Sequence, residues 1–239
     1  MAGLLLVWAI ASRASGLPAY LLPGPASVAA ALWQQRELLF WSTLVTLTET
    51  VLGLLIGTVL GAALALGMVF SPRLARWLMP LLLLSQAVPV FALAPLLVLW
   101  FGFGMASKVV MAVLVIFFPV SAAFSDGLRH TEPGWLDLAR TMDASPWRLL
   151  LHVRLPAAMP AFGSGLRVAT AIAPIGAVIG EWVGASAGLG YVMLNANARI
   201  QTDVMFAAMF VLAVMTVLLW VAVDRGLRRL LYWVPRTAG

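Results

Sequence analysis

The sequence predicts an all-α fold: a polytopic membrane protein of about six transmembrane helices, forming one domain over residues 1–239. Three observations predict it. Of the 239 residues, 63% are hydrophobic and only 10% are charged, whereas a soluble domain carries about 25% charged residues. So few charges cannot cover a surface that faces water, but they suit one that faces lipid. The apolar residues gather into six blocks long enough for membrane-spanning or near-spanning helices. Finally, most of the basic residues fall on one side of the topology those blocks define.

The blocks run at about 2–17, 42–70, 74–101, 107–125, 161–183 and 204–224. The first is short and resembles a signal-peptide core, but no basic segment precedes it and Arg13 follows it, so a short first span is the preferred reading. Segment 18–40 carries Pro18, Pro23 and Pro25 and then a modest helix that Ser27 can cap. It reads as an interfacial connector. Residues 126–160 form the longest polar stretch.

With the N-terminus in the cytoplasm, six alternating spans place eleven of the 15 basic residues on the cytoplasmic side. These are Arg73, Arg76, Arg129, Arg140, Arg148, Arg154, Arg167, Arg225, Arg228, Arg229 and Arg236, against Arg13, Arg36, Lys108 and Arg199 outside. The positive-inside rule selects this orientation, with both termini cytoplasmic. The net charge of +6 therefore reads as topology. Basic residues scattered singly between apolar blocks form no nucleic-acid surface.

Glycines recur at four-residue spacing in two blocks: Gly53, Gly57 and Gly61, then Gly176, Gly180, Gly184 and Gly188. Such spacing lets helix backbones approach closely in lipid. Packing within the chain is the first expectation, and a subunit interface or substrate path is the sharper one. Gln86, Glu181 and Trp182 are the candidate substrate-path residues. Gln86 sits near Pro89 and Pro95, which mark either a broken helix or a kink. For Glu181, an ionisable group at membrane depth, three roles stay open: a structural hydrogen bond, gating on the path, or an interfacial position. Trp182 also fits an interface anchor. Glu49 fits a structural partner or an outer-edge position.

No catalytic constellation, metal-ligand set or cofactor is expected. There are no cysteines and two histidines, His130 and His152. Gly184-Ala-Ser-Ala-Gly188 matches a hydrolase pattern without the strand before it or a histidine on its side of the membrane. The chain has no Gly-x-x-x-x-Gly-Lys-Ser/Thr segment, so it is not itself an ATPase.

The mid-chain loop reads Trp135-Leu-Asp-Leu-Ala-Arg-Thr-Met-Asp-Ala-Ser-Pro-Trp-Arg-Leu-Leu-Leu-His-Val-Arg-Leu-Pro156. Residues 135–143 form one short helix in this reading. Pro146 suits the first turn of a second, Ser145 caps it, and Leu155-Pro156 ends the pair. A projecting helix that mixes Trp, Leu and Met with Asp and Arg fits a groove on a partner.

This segment resembles the EAA loop of ABC importer permeases: Glu-Ala-Ala, three residues, Gly, nine residues, then Ile-x-Leu-Pro. Asp137, Leu138 and Ala139 stand for Glu-Ala-Ala, Asp143 stands at the glycine, and Val153, Leu155 and Pro156 stand in the closing motif, with no gap. Leu138 and Asp143 depart from the pattern. Asp tolerates left-handed backbone, so the turn is expected to persist. Leu17-Pro-Ala-Tyr-Leu-Leu-Pro-Gly-Pro25, Pro89 to Gly104, and Gly180-Glu-Trp-Val-Gly184 with Gly188-Leu-Gly190 are similar to the nitrate, sulfonate and taurine branch. Ser85 to Phe91 looks most like permeases for thiamine-precursor pyrimidines.

The resemblance implies a MetI-like permease fold in the bacterial inner membrane, not an enzyme in its own right. It implies that residues of about 127–160 are a cytoplasmic coupling loop. The partners it implies are a second copy of the chain, two ABC ATPase subunits, a periplasmic or lipid-anchored substrate-binding protein and the bilayer. The alternative from the residues alone is a secondary transporter or channel independent of ATP.

Overall fold

The computed structural model describes residues 2–14, 16, 18 and 20–234. It is built of helices: α1 (Ala2–Ala14), α2 (Pro25–Gln34), α3 (Arg36–Phe70), α4 (Pro72–Ala87), α5 (Val90–Phe101), α6 (Met105–Arg129), α7 (Pro133–Thr141), α8 (Pro146–Leu149), a π-helical turn (Leu150–Arg154), α9 (Leu155–Gly184), α10 (Leu189–Ala198) and α11 (Thr202–Leu230).

Among the described residues, four helical stretches are long and apolar enough to cross a membrane: α3, α6, the continuous Pro146–Gly184 run and α11. The third apolar block is a broken helix. Val88 is extended (φ −80°, ψ 120°) before Pro89, which caps α5. A residue before proline is pushed out of the helical region, and proline has no N–H to continue the ladder. Pro95, inside α5, does not break it. α5 stops at Gly102, whose φ of +79° suits glycine. The α1 helix of 13 residues spans only about 20 Å, and its Trp8 Nε1 donates to the Pro23 carbonyl at 3.2 Å.

Two local expectations need correction. The cap of α2 is Gly24, with Pro25 at its first position, while Ser27 sits in the first turn and donates to the Gly24 carbonyl at 2.8 Å. Proline needs no partner for the N–H it lacks, which favours that start. Leu155-Pro156 does not end the loop helices either. The chain runs helically from Pro146 through the π-helical turn into α9. The wider π-helical turn just upstream accommodates the proline within a continuous helix.

α6 is the centre. The α3 glycines pack on it, as an added Cβ at Gly53 would meet the Ala112 side chain and one at Gly61 would lie 2.8 Å from the Phe117 carbonyl. From the other side, a Cβ at Gly165 would lie 2.7 Å from the Pro119 carbonyl, and one at Gly176 would lie 2.7 Å from the Ala112 Cα. The α3 stripe and, from the second stripe, Gly176 and Gly180 therefore clasp α6 within one chain, while Gly184 packs on Phe103 and Val98 and Gly188 on Glu181. Leu54, Ala112, Ile116, Val120, Ala169 and Ala173 close the core. A second core joins α2, α3, α10 and α11 through Val28, Ala31, Leu39, Leu189, Val192 and Ala207. Asp224 ties α11 to α9: its Oδ1 accepts from Arg167 Nε and its Oδ2 from Arg228 Nε, both at 2.7 Å.

Candidate functional site

The loop between α6 and α9 is built in two parts. Its second part is anchored. Ser145 caps α8, accepting from the Arg148 N–H at 3.4 Å. The Trp147 ring stacks on Phe70 at the end of α3, with centroids 5.9 Å apart. Leu150 enters a core with Ala65, Phe124, Leu128 and Ala158. These contacts join the loop to α3, α6 and α9 together.

The first part projects. α7 has no buried residue. Trp135, Leu138 and Met142 follow helical spacing, so they share one face, and Leu138 and Met142 are 63% and 75% exposed. The opposite side is polar, where Arg140 pairs with Asp137 at 3.0 Å. An open groove of about 560 Å³ lies beside that apolar face, lined by Leu138, Ala139, Met142, Val153, Pro156 and Trp233, among others. Asp143 makes the turn from α7 toward α8 with φ +52°. The Asp143 and Ala144 N–H groups donate to the Arg140 and Ala139 carbonyls at 3.0 and 3.1 Å. The motif residues thus divide: Asp137 and Asp143 are exposed, Leu138, Ala139, Val153 and Pro156 face the groove, and Leu155 packs toward the core behind it.

Of the candidate path residues, Glu181 and Trp182 lie in different surroundings. The Gln86 side chain lies outside the described residues. Trp182 is half exposed, whereas its neighbour Glu181 is 1% exposed. The Glu181 carboxylate is occupied. Oε1 accepts from Thr46 Oγ1 at 2.6 Å, and Oε2 accepts from the Gly190 N–H at 2.5 Å and from the Tyr191 N–H at 3.4 Å. Thr46 Oγ1 in turn accepts from the Leu189 N–H at 2.8 Å. Glu49, also 1% exposed, lies beside Glu181. Lys108 comes from α6, and its Nζ donates to the Phe103 and Gly104 carbonyls at 3.0 and 3.2 Å.

Thr46, Lys108, Arg167 and Asp224 were not singled out from the sequence as interacting groups. A signal for Thr46 was present. Ser42, Thr46, Glu49, Thr50, Gly53, Gly57 and Gly61 form one stripe of α3, and every one of them is buried. Read as glycines alone, the stripe loses its polar half.

The family model described as "Binding-protein-dependent transport system inner membrane component" matches residues 50–232. A probable ABC transporter permease protein of Haemophilus influenzae is 54% identical over 231 residues, covering 97% of this chain and 94% of its own. The formylaminopyrimidine transport permease protein ThiX of Halalkalibacterium halodurans is 38% identical over 231 residues, covering 96% and 92%. In fold, the chain matches the MetNI methionine ABC transporter in an inward-facing conformation, with a TM-score of 0.65 at 20% identity over 83% of this chain and 96% of that one. The chain belongs to the inner-membrane components of binding-protein-dependent transport systems, as the multi-pass permease subunit of an ABC importer.

Proposed function

We propose that this permease carries a small organic solute into the cytoplasm, with the thiamine-precursor pyrimidines as the first substrate class and sulfonates as the second. The pyrimidine class is supported by the 38% identity to ThiX across nearly the whole chain. In this reading all 239 residues form a single permease domain with both termini in the cytoplasm. Two copies enclose the path, two ATPase subunits bind inside, and a periplasmic or lipid-anchored binding protein delivers the solute.

One observation carries the coupling role. α7 offers Leu138 and Met142 to the aqueous side, largely uncovered by the described residues, while the rest of the loop is fastened to the bundle. An amphipathic helix of this kind fits an apolar groove on a partner. Asp137, Leu138, Ala139 and Asp143 shape the docking surface. Val153, Leu155 and Pro156 transmit its movement, because the helix continues from them into α9 without a joint. ATP binding draws the ATPases together, the loops move with them, and the bundle switches between inward- and outward-open packings. ATP does this by binding one state better than the other.

The test is uptake into liposomes holding the permease, its ATPase and its binding protein. Formylaminopyrimidine accumulation that requires both ATP and the binding protein supports the reading. Uptake without ATP refutes it in favour of a secondary transporter or channel. ATP-dependent uptake of a sulfonate but no pyrimidine moves the substrate class and leaves the coupling intact.

A further inference from the structure

The coupling loop and the α9–α10 turn lie at opposite ends of α9. From Leu155 to Glu181 the helix rises about 40 Å. Along that length it is held against α6 at three glycines: Gly165 and Gly176 leave no room for a Cβ, and at Gly180 a Cβ would lie a tight 3.0 Å from the Lys108 Cα. Helices packed backbone to backbone move as one body, since interiors are close-packed and deform little. A displacement of the loop therefore arrives at Glu181 nearly undiminished.

What meets it there is α10. The first N–H groups of a helix lack partners within it. For α10, those of Leu189, Gly190 and Tyr191 are met by two side chains from elsewhere: Thr46 Oγ1 takes Leu189, and the Glu181 carboxylate takes Gly190 and Tyr191. Thr46 and Glu181 are joined to each other at 2.6 Å. The space is shaped to fit. Gly188 has φ +114°, and a Cβ there would overlap the Glu181 carboxyl group. A Cβ at Gly190 would lie 2.8 Å from Glu181 Oε2. Thr46, Glu181, Gly188, Leu189 and Gly190 are all buried, where an unmet N–H is costly. Glu181 is thus a fastening, with no oxygen left over for a solute.

We propose that Glu181 and Thr46 are positioning residues that fasten α10 to the far end of α9 and to α3, so that movement of the cytoplasmic loop reaches α10 as a single rigid displacement. This rests on the coupling role proposed above. Without the fastening, the loop still follows the ATPase, but α10 lags and ATP is spent without transport.

The test uses the full importer in liposomes, comparing wild type with Thr46→Val, Thr46→Ser, Glu181→Gln and Gly188→Ala. ATP hydrolysis and formylaminopyrimidine uptake are measured on the same preparations. Thr46→Val keeps the side-chain shape and loses the hydroxyl. It should hydrolyse ATP within about twofold of wild type while transporting about tenfold less per ATP, since the lost bonds are buried. Thr46→Ser, which restores the hydroxyl, should return the ratio to wild type. Gly188→Ala reaches the same defect by displacing the carboxylate. Where Thr46→Val fails to fold, Glu181→Gln gives the answer, because one amide oxygen cannot replace both carboxylate oxygens as an acceptor.

Variants that transport as much per ATP as wild type overturn the proposal. Hydrolysis and uptake falling in equal proportion also overturn it, since that marks a merely structural role. If wild type hydrolyses ATP but does not take up formylaminopyrimidine, the substrate class of the preceding section is wrong. The readout is then sulfonate uptake per ATP hydrolysed, which Thr46→Val must lose and Thr46→Ser must keep. A wild-type complex that hydrolyses no ATP overturns the coupling role and this proposal with it.

Discussion

Replacing Gly176 by alanine adds one methyl group at a place where α9 presses closely on the central helix α6. The added carbon would lie 2.7 Å from the Ala112 Cα, 3.1 Å from its nitrogen and 3.2 Å from the Met111 carbonyl oxygen. All three are backbone atoms of α6, so no side chain can swing aside. Carbon atoms in contact sit at about 3.5–4.0 Å, so the two helices must part by close to an ångström. That separation opens the interface around Ala169 and Ala173 as well. Overpacking of this kind costs about 1–3 kcal/mol. For a chain of this size it lowers the Tm by about 2–12 °C.

Gly226→Ala is the matched control. Gly226 lies in α11 with nothing within 4 Å of an added Cβ. There alanine gains helix propensity, so the change is neutral or stabilising by up to about 1 kcal/mol. The assay is thermal unfolding in one detergent, followed by tryptophan fluorescence. A Gly176→Ala protein as stable as wild type would refute the close backbone packing of α9 on α6. Equal losses at both positions would show that any added methyl is harmful, and would refute the reasoning from contact.

Further outcomes are expected elsewhere in the chain. Asp224→Ala removes the acceptor shared by Arg167 and Arg228 and should lower the Tm, and adding Arg167→Gln should cost less than the two single losses combined, in a double-mutant cycle. Asp143→Gly should stabilise the loop by about 0.5–1 kcal/mol, since the turn at φ +52° is easier for glycine. A thermal melt showing no gain counts against that. Because the chain has no cysteine, single cysteines report orientation cleanly. Met142→Cys should react with an impermeant maleimide only in inverted vesicles and Ala187→Cys only in right-side-out ones, and the reverse pattern would overturn the topology.

The spans were legible because apolar length is a coarse signal that tertiary packing does not change. The break at Val88-Pro89 was half legible. Proline marked the place, but whether a proline kinks or breaks a helix depends on what packs beside it, as Pro95 and Pro174 show by remaining helical. Helix starts were less legible. α3 begins at Arg36, ahead of its apolar block, because Arg36 and Glu37 extend the same helix through polar residues. In the loop, Ser145 and Pro146 marked a helix start by local chemistry. Continuity through Pro156 was invisible, since it depends on a π-helical turn with no residue signature. The fastening of α10 was beyond the sequence for another reason. It joins Thr46 to Leu189 and Glu181 to Gly190, and the first of these pairs is 143 residues apart along the chain.

The most direct test of the central claim is co-purification. The tagged permease is extracted from its native membrane in mild detergent, and its stoichiometric partners are identified with and without Asp137→Lys combined with Ala139→Glu. The account predicts a P-loop ATPase at one copy per permease copy, lost when those charges are placed on α7. A wild-type permease that emerges alone and transports without ATP once reconstituted would contradict it.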